Sequence, residues 1–418
     1  MAKNPNTSTL VLITQFALAL FISFQSITLH ASNTEVKTSQ ADFENWLANF
    51  KRDALQQGIS AKTLNTAFSG VKLNSSVLKS DKSQPEFTQT FFAYFNRAVS
   101  KYRIENGQKY YKEHKQLLDK VTQKYGVPGR FVVAFWGMET NYGSYTGNIP
   151  IIESLATLAY DPRRSGFFTT QLMSALTILD KGHVKLEQMK GSWAGAMGQV
   201  QFMPSNYLKY AVDGDGDGKI NLWDSLPDAF FSAGNFLNHL GWQAEKNWGR
   251  EVKLPIGFNF AMADNETKRP LSEWRNLGIK LAGGRYIPYV DIQAKLLLMT
   301  DYKGPAFLVY DNFKVIKRWN NANKYAIAVG HLADRIVKRP ALTKQAPKND
   351  KSLSRSQIKQ LQKQLNALDF QTGKPDGIAG SKTRSALRAF QVANELPADG
   401  FPNLRMLKLV EKAYHVQS

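Results

Sequence analysis

Four aspartates recur through the segment DGDGDGKINLWD, which covers residues 213–224. Three of them stand two residues apart, and a glycine at position six then permits a sharp turn. Ca²⁺ takes six or more oxygen ligands, and alternate carboxylates on a tight loop converge on one point. A backbone carbonyl at position seven and a carboxylate at position twelve complete the pattern. The spacing therefore predicts a calcium site formed by Asp213, Asp215, Asp217, the carbonyl of Lys219, and Asp224.

This spacing is that of an EF-hand-like loop, with one departure. Asp224 stands where a glutamate is usual, and its shorter side chain reaches less easily for bidentate contact. One loop without a partner loop or a Met-rich groove favours a structural ion over a calcium sensor. An acidic surface turn without metal and a calcium-switched protein are the alternatives. No organic cofactor is expected.

A second candidate for chemistry is Glu139, in FVVAFWGMETNYG. It follows a strongly apolar run near the end of a predicted helix. Burial and the negative end of the helix dipole should both raise its pKa. A carboxylic acid that keeps its proton near neutral pH can donate that proton to a leaving oxygen. The alternative is a glutamate at an exposed helix end, paired with an arginine.

Glycosidases usually need two carboxylates. Glu153 and Asp161 are candidates for the second by sequence distance, but neither stands in a setting comparable to that of Glu139. A single carboxylate favours a mechanism that does not activate a water molecule from the opposite face of the sugar.

The elements around these residues are predicted to be mainly helical. Apolar residues in DFENWLANFKRDALQQG recur near one face, and the helical pattern continues to Tyr125. Helices are also predicted at FVVAFWGMET, FFTTQLMSALTILDKGHV and LPDAFFSAGNFLNHLGW. Between the last two lies GSWAGAMGQVQFMPSNY, whose glycines and alanines suit a loop and a close-packed short helix.

Composition changes after Trp242. β-type runs such as EVKLPIGFNFAM, AKLLLM and PAFLVYDNFKVI predict a small strand-rich insertion at about 249–312. Helix returns at NKYAIAVGHLADRIVKR, so that one region is predicted over 41–340. A polar linker follows at 341–355. Residues 356–411 form a second compact unit, in which PDGIAGSKT and PADGFPN are a weak internal repeat.

The N-terminus has the pattern of a secretory signal peptide, predicted over residues 1–31. The stretch LVLITQFALALFISF is nearly all apolar, and Ala31 precedes a small residue suited to cleavage. The alternative is an uncleaved membrane anchor, since Leu10–Leu29 is about the length that spans a bilayer. The sequence contains no cysteine, which excludes a disulfide framework and lipid attachment at a cysteine.

The formal net charge of +20 is informative about binding partners rather than about the fold. Because export makes nucleic acid an improbable ligand, an anionic wall polymer or peripheral contact with a membrane surface fits the charge better. General surface basicity is the alternative. We expect a periplasmic protein that is monomeric.

The motifs GMETNYG, YDPRRSGFF, GSWAGAMGQVQFMPSNY and DGDGDGKINLWD, in this order, resemble those of the lytic murein transglycosylase B family. The resemblance extends from about Phe43 to Lys338. The tail is similar to the peptidoglycan-binding type 1 domain, through PDGIAGSKTRSALRAFQ and the later ADG. Together the two resemblances imply an α+β fold that is mainly α. It consists of a lysozyme-like helical core with a strand-rich insertion, and a small C-terminal three-helix domain.

The resemblance also implies site residues. Glu139 matches the single acid and base of the family, and Ser192, Gln201, Asn320 and Tyr325 match positions that contact substrate. The family carries a calcium loop at the position of the acidic segment. Two residues depart from some members: Trp319 stands at a Tyr position and Gln199 at an aromatic one. Ser192 and Gln201 have a structural alternative, satisfying buried backbone groups, and Tyr325 could be a core residue.

The implied activity is non-hydrolytic cleavage between N-acetylmuramic acid and N-acetylglucosamine, leaving 1,6-anhydro ends. The implied partners are peptidoglycan glycan strands, with proteins of wall synthesis or remodelling as further candidates. A muramidase-type hydrolase and a non-catalytic peptidoglycan-binding protein are the alternatives.

Overall fold

The computed structural model describes residues 39–82, 89–263, 267–347 and 351–417. The predicted signal peptide at 1–31 lies outside this part of the chain. Within these ranges, no helix combines the length and the apolar character needed to cross a bilayer.

The described residues of the N-terminal third are mainly helical, as their apolar periodicity predicts. On α1 the spacing of Phe43, Leu47, Phe50 and Ala54 buries one face against the core. The helices of this part are α1 (Gln40–Gln56), α2 (Ala61–Ala67), α3 (Ser75–Lys82), α4 (Phe91–Ala98), α5 (Lys101–Glu113) and α6 (Lys115–Tyr125).

The next helix, α7 (Gly129–Thr140), runs through the centre of the helical core. Every residue from Phe131 to Gly137 is buried, so this helix is apolar on all sides until its last turn. Such a helix needs neighbours all round. The four helices in the next part of the chain are α8 (Ile151–Tyr160), α9 (Ser165–Asp180), α10 (Pro204–Tyr210) and α11 (Leu226–His239). Two short strands, β1 (Ile149–Pro150) and β2 (Lys190–Gly191), pair antiparallel beside them.

The strand-rich part is a five-stranded antiparallel sheet in the order β4-β6-β7-β3-β5. Its strands are β3 (Gly249–Lys253), β4 (Arg269–Pro270), β5 (Lys280–Leu281), β6 (Gln293–Leu298) and β7 (Ala306–Val309). A short helix, α12 (Leu271–Asn276), follows β4. The run PAFLVYDNFKVI is strand only to Val309, and helix begins at Asp311.

Both faces of this sheet are covered. Leu296, Leu298 and Leu308 face a small core within the strand-rich part. Leu297 and Phe307, at the alternate positions, face the main helical core. Because successive strand residues point to opposite faces, burial of both faces requires continuous apolar runs. This explains why AKLLLM and AFLV read as runs without alternation.

After the sheet, α13 (Asp311–Trp319) and α14 (Asn323–Ile336) return to the main core. α14 packs along α7 and is itself buried almost all round. Gly330 lets the indole ring of Trp248, the residue before β3, lie against α14, because a Cβ at Gly330 would collide with that ring. The contact between α7 and α14 joins segments almost 200 residues apart in the chain.

The C-terminal unit consists of α15 (Arg355–Ala367), α16 (Ser381–Ala393) and α17 (Leu404–Gln417). Its internal repeat has a structural counterpart. Gln362 donates to Asp376 (2.9 Å) and accepts from the amide of the following glycine (2.8 Å). Gln391 makes the same two bonds around Asp399 (2.8 and 2.7 Å). A buried glutamine thus braces each Asp-Gly turn.

The second of these turns contacts the strand-rich part. The backbone amide of Tyr302 donates to Asp399 Oδ2 at 2.8 Å. Within the predicted linker, Thr343 bonds to Glu251 of β3 through both its amide and its hydroxyl, each at 2.9 Å. The observed architecture confirms the predicted mainly helical fold class, with its small sheet and a C-terminal helical unit.

His331, on α14, makes the stability of this core depend on pH. Burial, and secondarily the charge of Arg335, lowers the pKa of His331 from 6.5 to about 4. The unfolded chain therefore binds a proton at a higher pH than the folded one. The contribution of neutral His331 to the free energy of unfolding is complete above pH 6.5. It is lost as the pH falls toward 4, by up to about 3 kcal/mol.

We expect the wild-type protein to lose stability between pH 6.5 and 4 more steeply than His331→Leu. The measurement is urea unfolding at half-unit pH intervals. His415, exposed on α17, offers a control substitution, His415→Leu, that should leave the slope unchanged. Equal slopes for wild type and His331→Leu would contradict the assignment.

Candidate active site

The end of α7 is built by an unusual run of backbone conformations. Asn141 and Tyr142 have φ values of 51° and 62°, and Gly143 follows at 77°. Left-handed backbone is uncommon for non-glycine residues and rare for a bulky aromatic. Three such residues in succession end the helix abruptly, one residue after Glu139.

Tyr142 is held in this conformation by packing. Its hydroxyl donates to the carbonyl of Arg103 at 2.5 Å. Its ring lies against Gly137 of α7 and Gly107 of α5, where a Cβ would approach the tyrosine to 2.6 and 2.5 Å. The two glycines therefore make room for the ring, and the ring fixes the last turn of α7 against α5.

Glu139 lies half-buried on this last turn. The hydroxyl of Tyr325, in the first turn of α14, donates to Glu139 Oε1. Tyr325 is 3% exposed and packs in the core, as the alternative predicted, while its contact with substrate stays a prediction. The hydrogen bond from Tyr325 fixes the orientation of the Glu139 carboxyl group relative to α14.

Gln201 and Ser192 hold the segment that faces the end of α7. Gln201 also has a positive φ, 51°, and its amide donates to the carbonyls of Thr146 (2.9 Å) and Gly198 (3.0 Å). The hydroxyl of Ser192 accepts from the amide of Ala196 at 3.1 Å. Both side chains thus satisfy backbone groups, as the structural alternative predicted, and their contact with substrate stays a prediction.

Asn320 follows α13 as its C-terminal cap residue and is half-buried. It is placed by Trp319, whose ring centroid lies 4.4 Å from that of Phe135 on α7 and 5.2 Å from that of Phe236. Trp319 therefore serves as a packing residue between α7 and α11. Asn320 therefore follows a residue that packs on α7, and its contact with substrate stays a prediction.

The two other carboxylates considered from sequence have different partners. Glu153 accepts from the side-chain amide of Asn74 at 2.7 Å. Asp161 accepts twice from the guanidinium of Arg163, at 2.9 Å each. The first bond joins α8 to the residue before α3, the second pair lies within one turn, and none of these bonds involves Glu139.

In the acidic loop, ligand oxygens of Asp213, Asp215 and Asp217 lie within 4.8 Å of one another. Hydrogen bonds from the amides of Gly218 and Gly216 hold the pKa of the Asp213 carboxyl below its usual range. Asp224 does not join this group. Its Oδ2 accepts from Gln188 and Asn221, each at 3.2 Å.

The loop is organised by a carboxylate that sequence reasoning missed. Asp228 is 1% exposed on α11, and its two oxygens accept from the amides of Gly214 (2.7 Å) and Asn221 (2.6 Å). It thereby joins both limbs of the loop. Burial raises the pKa of Asp228, and the two amides oppose that rise. The available signal was Ser225, which caps α11 three residues before Asp228.

Comparison with known proteins adds to this geometry. Residues 42–334 match the model of the transglycosylase SLT domain, and residues 354–409 match that of the putative peptidoglycan-binding domain. Membrane-bound lytic murein transglycosylase B of Escherichia coli is 31% identical over 300 residues, which are 68% of this chain and 80% of that protein.

Two solved structures are also similar. SltB3 from Pseudomonas aeruginosa, in complex with NAG-anhNAM-pentapeptide, is 44% identical with a TM-score of 0.85, covering 88% of this chain and 99% of its own. The Escherichia coli lytic transglycosylase Slt35 in complex with calcium is 30% identical with a TM-score of 0.60, covering 70% and 92%.

Replacing Asp228 tests its role in ordering the loop. In Asp228→Asn a side-chain nitrogen replaces one of the two acceptor oxygens. One backbone N–H group of the loop then loses its hydrogen-bond acceptor inside the protein. We expect the free energy of unfolding to fall by about 1.5–3 kcal/mol, measured by urea unfolding with a chelator present. The control is Asp224→Asn, an exposed change expected to stay within about 0.5 kcal/mol. Equal effects would show that Asp228 does not organise the loop.

Proposed function

Because the chain belongs to the lytic murein transglycosylase family, we propose that Glu139 is the single acid and base of its reaction. The protein is a peptidoglycan-cleaving lytic transglycosylase with a lysozyme-like fold. It cleaves the bond between N-acetylmuramic acid and N-acetylglucosamine and forms 1,6-anhydro ends. The proposals below concern the residues and the ion that serve this reaction.

The observation that carries the assignment is the setting of Glu139. It lies half-buried at the end of a helix that is otherwise apolar on all sides. A hydroxyl from α14 points at it. A carboxyl group so placed can hold a proton against a leaving oxygen and then accept another, because its orientation is set by a neighbour that stays in place.

In the first step, the protonated Glu139 gives its proton to the glycosidic oxygen while the bond from that oxygen to muramoyl C1 breaks. The bonding electrons leave with the oxygen, and positive charge develops at C1. The N-acetyl group of the substrate is suited to stabilise this charge. Tyr325 favours the carboxylate that results, because its hydroxyl donates to Glu139 Oε1.

In the second step, the Glu139 carboxylate takes the proton of the muramoyl C6 hydroxyl. The C6 oxygen attacks C1 and closes the 1,6-anhydro ring. Glu139 is protonated again, and no water molecule is consumed. One carboxylate is sufficient for this sequence, in keeping with the other bonds made by Glu153 and Asp161.

Ser192, Gln201 and Asn320 are proposed to bind the glycan beside Glu139. Gln201 bonds to the carbonyl of Thr146 in the loop after α7, and Ser192 follows β2, which pairs with β1. Asn320 follows Trp319, which packs on Phe135 of α7. The C-terminal unit, proposed over residues 356–411, holds peptidoglycan strands. The relative SltB3 was solved with NAG-NAM-pentapeptide as well, which supports a peptide-bearing glycan as the ligand.

The acidic loop fits a calcium ion. Three carboxylates converge, and the pKa of Asp213 is held low by backbone amides, so the loop presents charged oxygen ligands at neutral pH. Asp213, Asp215, Asp217 and the carbonyl of Lys219 would hold the ion, and Asp224 would join them by giving up its hydrogen bonds from Gln188 and Asn221. Bound Ca²⁺ would offset the mutual repulsion of the carboxylates and stabilise the loop. The Slt35 complex with calcium supports this proposal.

We further propose a periplasmic location, with a signal peptide at 1–31, the catalytic region at 41–340 and a linker at 341–355. An uncleaved membrane anchor is the alternative, and the Escherichia coli relative is named as membrane-bound. The net charge of +20 suits an anionic wall polymer. We also propose that the protein is a monomer and that it contacts proteins of wall synthesis or remodelling.

The catalytic assignment is tested with Glu139→Gln and purified sacculi. We expect the wild-type protein to release muropeptides with anhydro ends, lighter than reducing ends by one water. Glu139→Gln should release none above background while still sedimenting with sacculi, because the amide cannot donate or accept the proton. The measurement is mass spectrometry of the soluble products.

Glu153→Gln is the matched control and should keep its activity. Reducing ends alone would favour the muramidase alternative. Unchanged cleavage by Glu139→Gln would remove Glu139 from the mechanism.

The calcium proposal is tested by chelation. Calcium at about 100 times its Kd should stabilise the folded state by about 2.7 kcal/mol, and a chelator should remove this gain. We expect a lower unfolding temperature with chelator, and nearly unchanged activity well below that temperature. Asp213→Asn should show little difference between the two conditions. Activity lost far below unfolding would favour the calcium-switched alternative.

A further inference from the structure

We propose that Gln199 is a positioning residue, which holds the last turn of α7, and with it Glu139, against the end of the acidic loop. The inference rests on the proposed role of Glu139 as acid and base. Gln199 lies in the turn between β2 and α10, half-buried, with neighbours on two sides.

On one side Gln199 bonds to α7. Its side-chain Oε1 accepts from the indole nitrogen of Trp136 at 2.8 Å, and its backbone carbonyl accepts from the hydroxyl of Thr140 at 2.8 Å. Trp136 is 3% exposed and stands three residues before Glu139, while Thr140 directly follows it. These two bonds therefore bracket the catalytic carboxyl group along the helix.

On the other side Gln199 bonds to the acidic loop. Its backbone amide donates to the carbonyl of Leu222 at 2.7 Å, and its side-chain Nε2 donates to the carbonyl of Trp223 at 2.8 Å. Trp223 is in turn held by its indole, which donates to the carbonyl of Lys190 at 2.7 Å. The last residues of the loop are thus joined to α7 through one residue.

The side chain needed at this position is specific. One atom must accept from an indole and another, on the same carbon, must donate to a carbonyl. A primary amide does both. A carboxylate would keep the acceptor but face the Trp223 carbonyl with a second acceptor. The neighbouring chain is adapted to the amide, because Gly143 has a positive φ and a Cβ there would collide with Gln199 Oε1.

This arrangement argues against a sugar-stacking role for Gln199. Both polar atoms of its side chain are engaged with protein groups. Its loss should therefore disturb the orientation of Glu139 and affect substrate binding little. A misplacement of about 1 Å can lower a rate about 100-fold, so the effect is expected in kcat.

The experiment compares Gln199→Met, which removes both side-chain bonds, with Gln199→Glu, which keeps only the acceptor for Trp136. Kinetics are measured on soluble uncross-linked glycan strands with calcium present, at a temperature well below unfolding. We expect Gln199→Met to lower kcat by about 10- to 100-fold with KM changed less than about threefold. Gln199→Glu should also lower kcat at near-constant KM.

Gln171→Met is the matched control. Gln171 is 3% exposed on α9, and its side chain accepts from the amide of Ser205 at 3.1 Å. The same substitution at Gln171 removes a buried hydrogen bond that does not involve α7. We expect a lower unfolding temperature and a normal kcat, which separates loss of stability from loss of positioning.

Thr140→Val keeps the proposal testable if Gln199→Met does not fold. It removes the hydroxyl that bonds to the Gln199 carbonyl and preserves the side-chain shape. It should lower kcat in the same direction at unchanged KM. A normal kcat in the folded variants, or a raised KM with normal kcat, would overturn the proposal. Activity in Glu139→Gln would instead overturn the proposed function, so the two failures are distinguishable.

Discussion

The burial of α7 is the constraint on which the rest of this structure depends. Its side chains from Phe131 to Gly137 are buried, so the helix must be surrounded by other elements along most of its length. A carboxyl group on such a helix can reach substrate only at an end. The proposed role of Glu139 therefore depends on the end of the helix one residue later, and the surrounding architecture enforces that end.

Three contacts enforce it from different directions. Tyr142 occupies space left by glycines on α5 and α7, which fixes the turn in left-handed backbone. Tyr325 arrives on α14 and bonds to Glu139 itself. Gln199 joins the same turn to the acidic loop. Strained backbone persists only where its surroundings over-determine it, and here the strain lies beside Glu139, the proposed acid and base.

The acidic loop and the C-terminal unit support this centre in different ways. Asp228 holds both limbs of the loop from inside the core, and oxygens of Asp213, Asp215 and Asp217 lie close together in it. In the C-terminal unit a glutamine braces each Asp-Gly turn, and the second turn also bonds to the strand-rich part through Tyr302. The C-terminal unit, which matches the putative peptidoglycan-binding domain, is thus tied to the strand-rich part.

Local pattern determined much of this protein. The periodicity of DFENWLANF predicted α1, the apolar run before Glu139 predicted a buried helix, and the spacing of the aspartates predicted a convergent loop. Each of these properties depends on residues a few positions apart. Only the tertiary structure decided the pairing of Glu139 with Tyr325, 186 residues later, and the connections made by Gln199 and Asp228. These follow from which buried faces meet when the chain packs, and no short-range spacing encodes that choice.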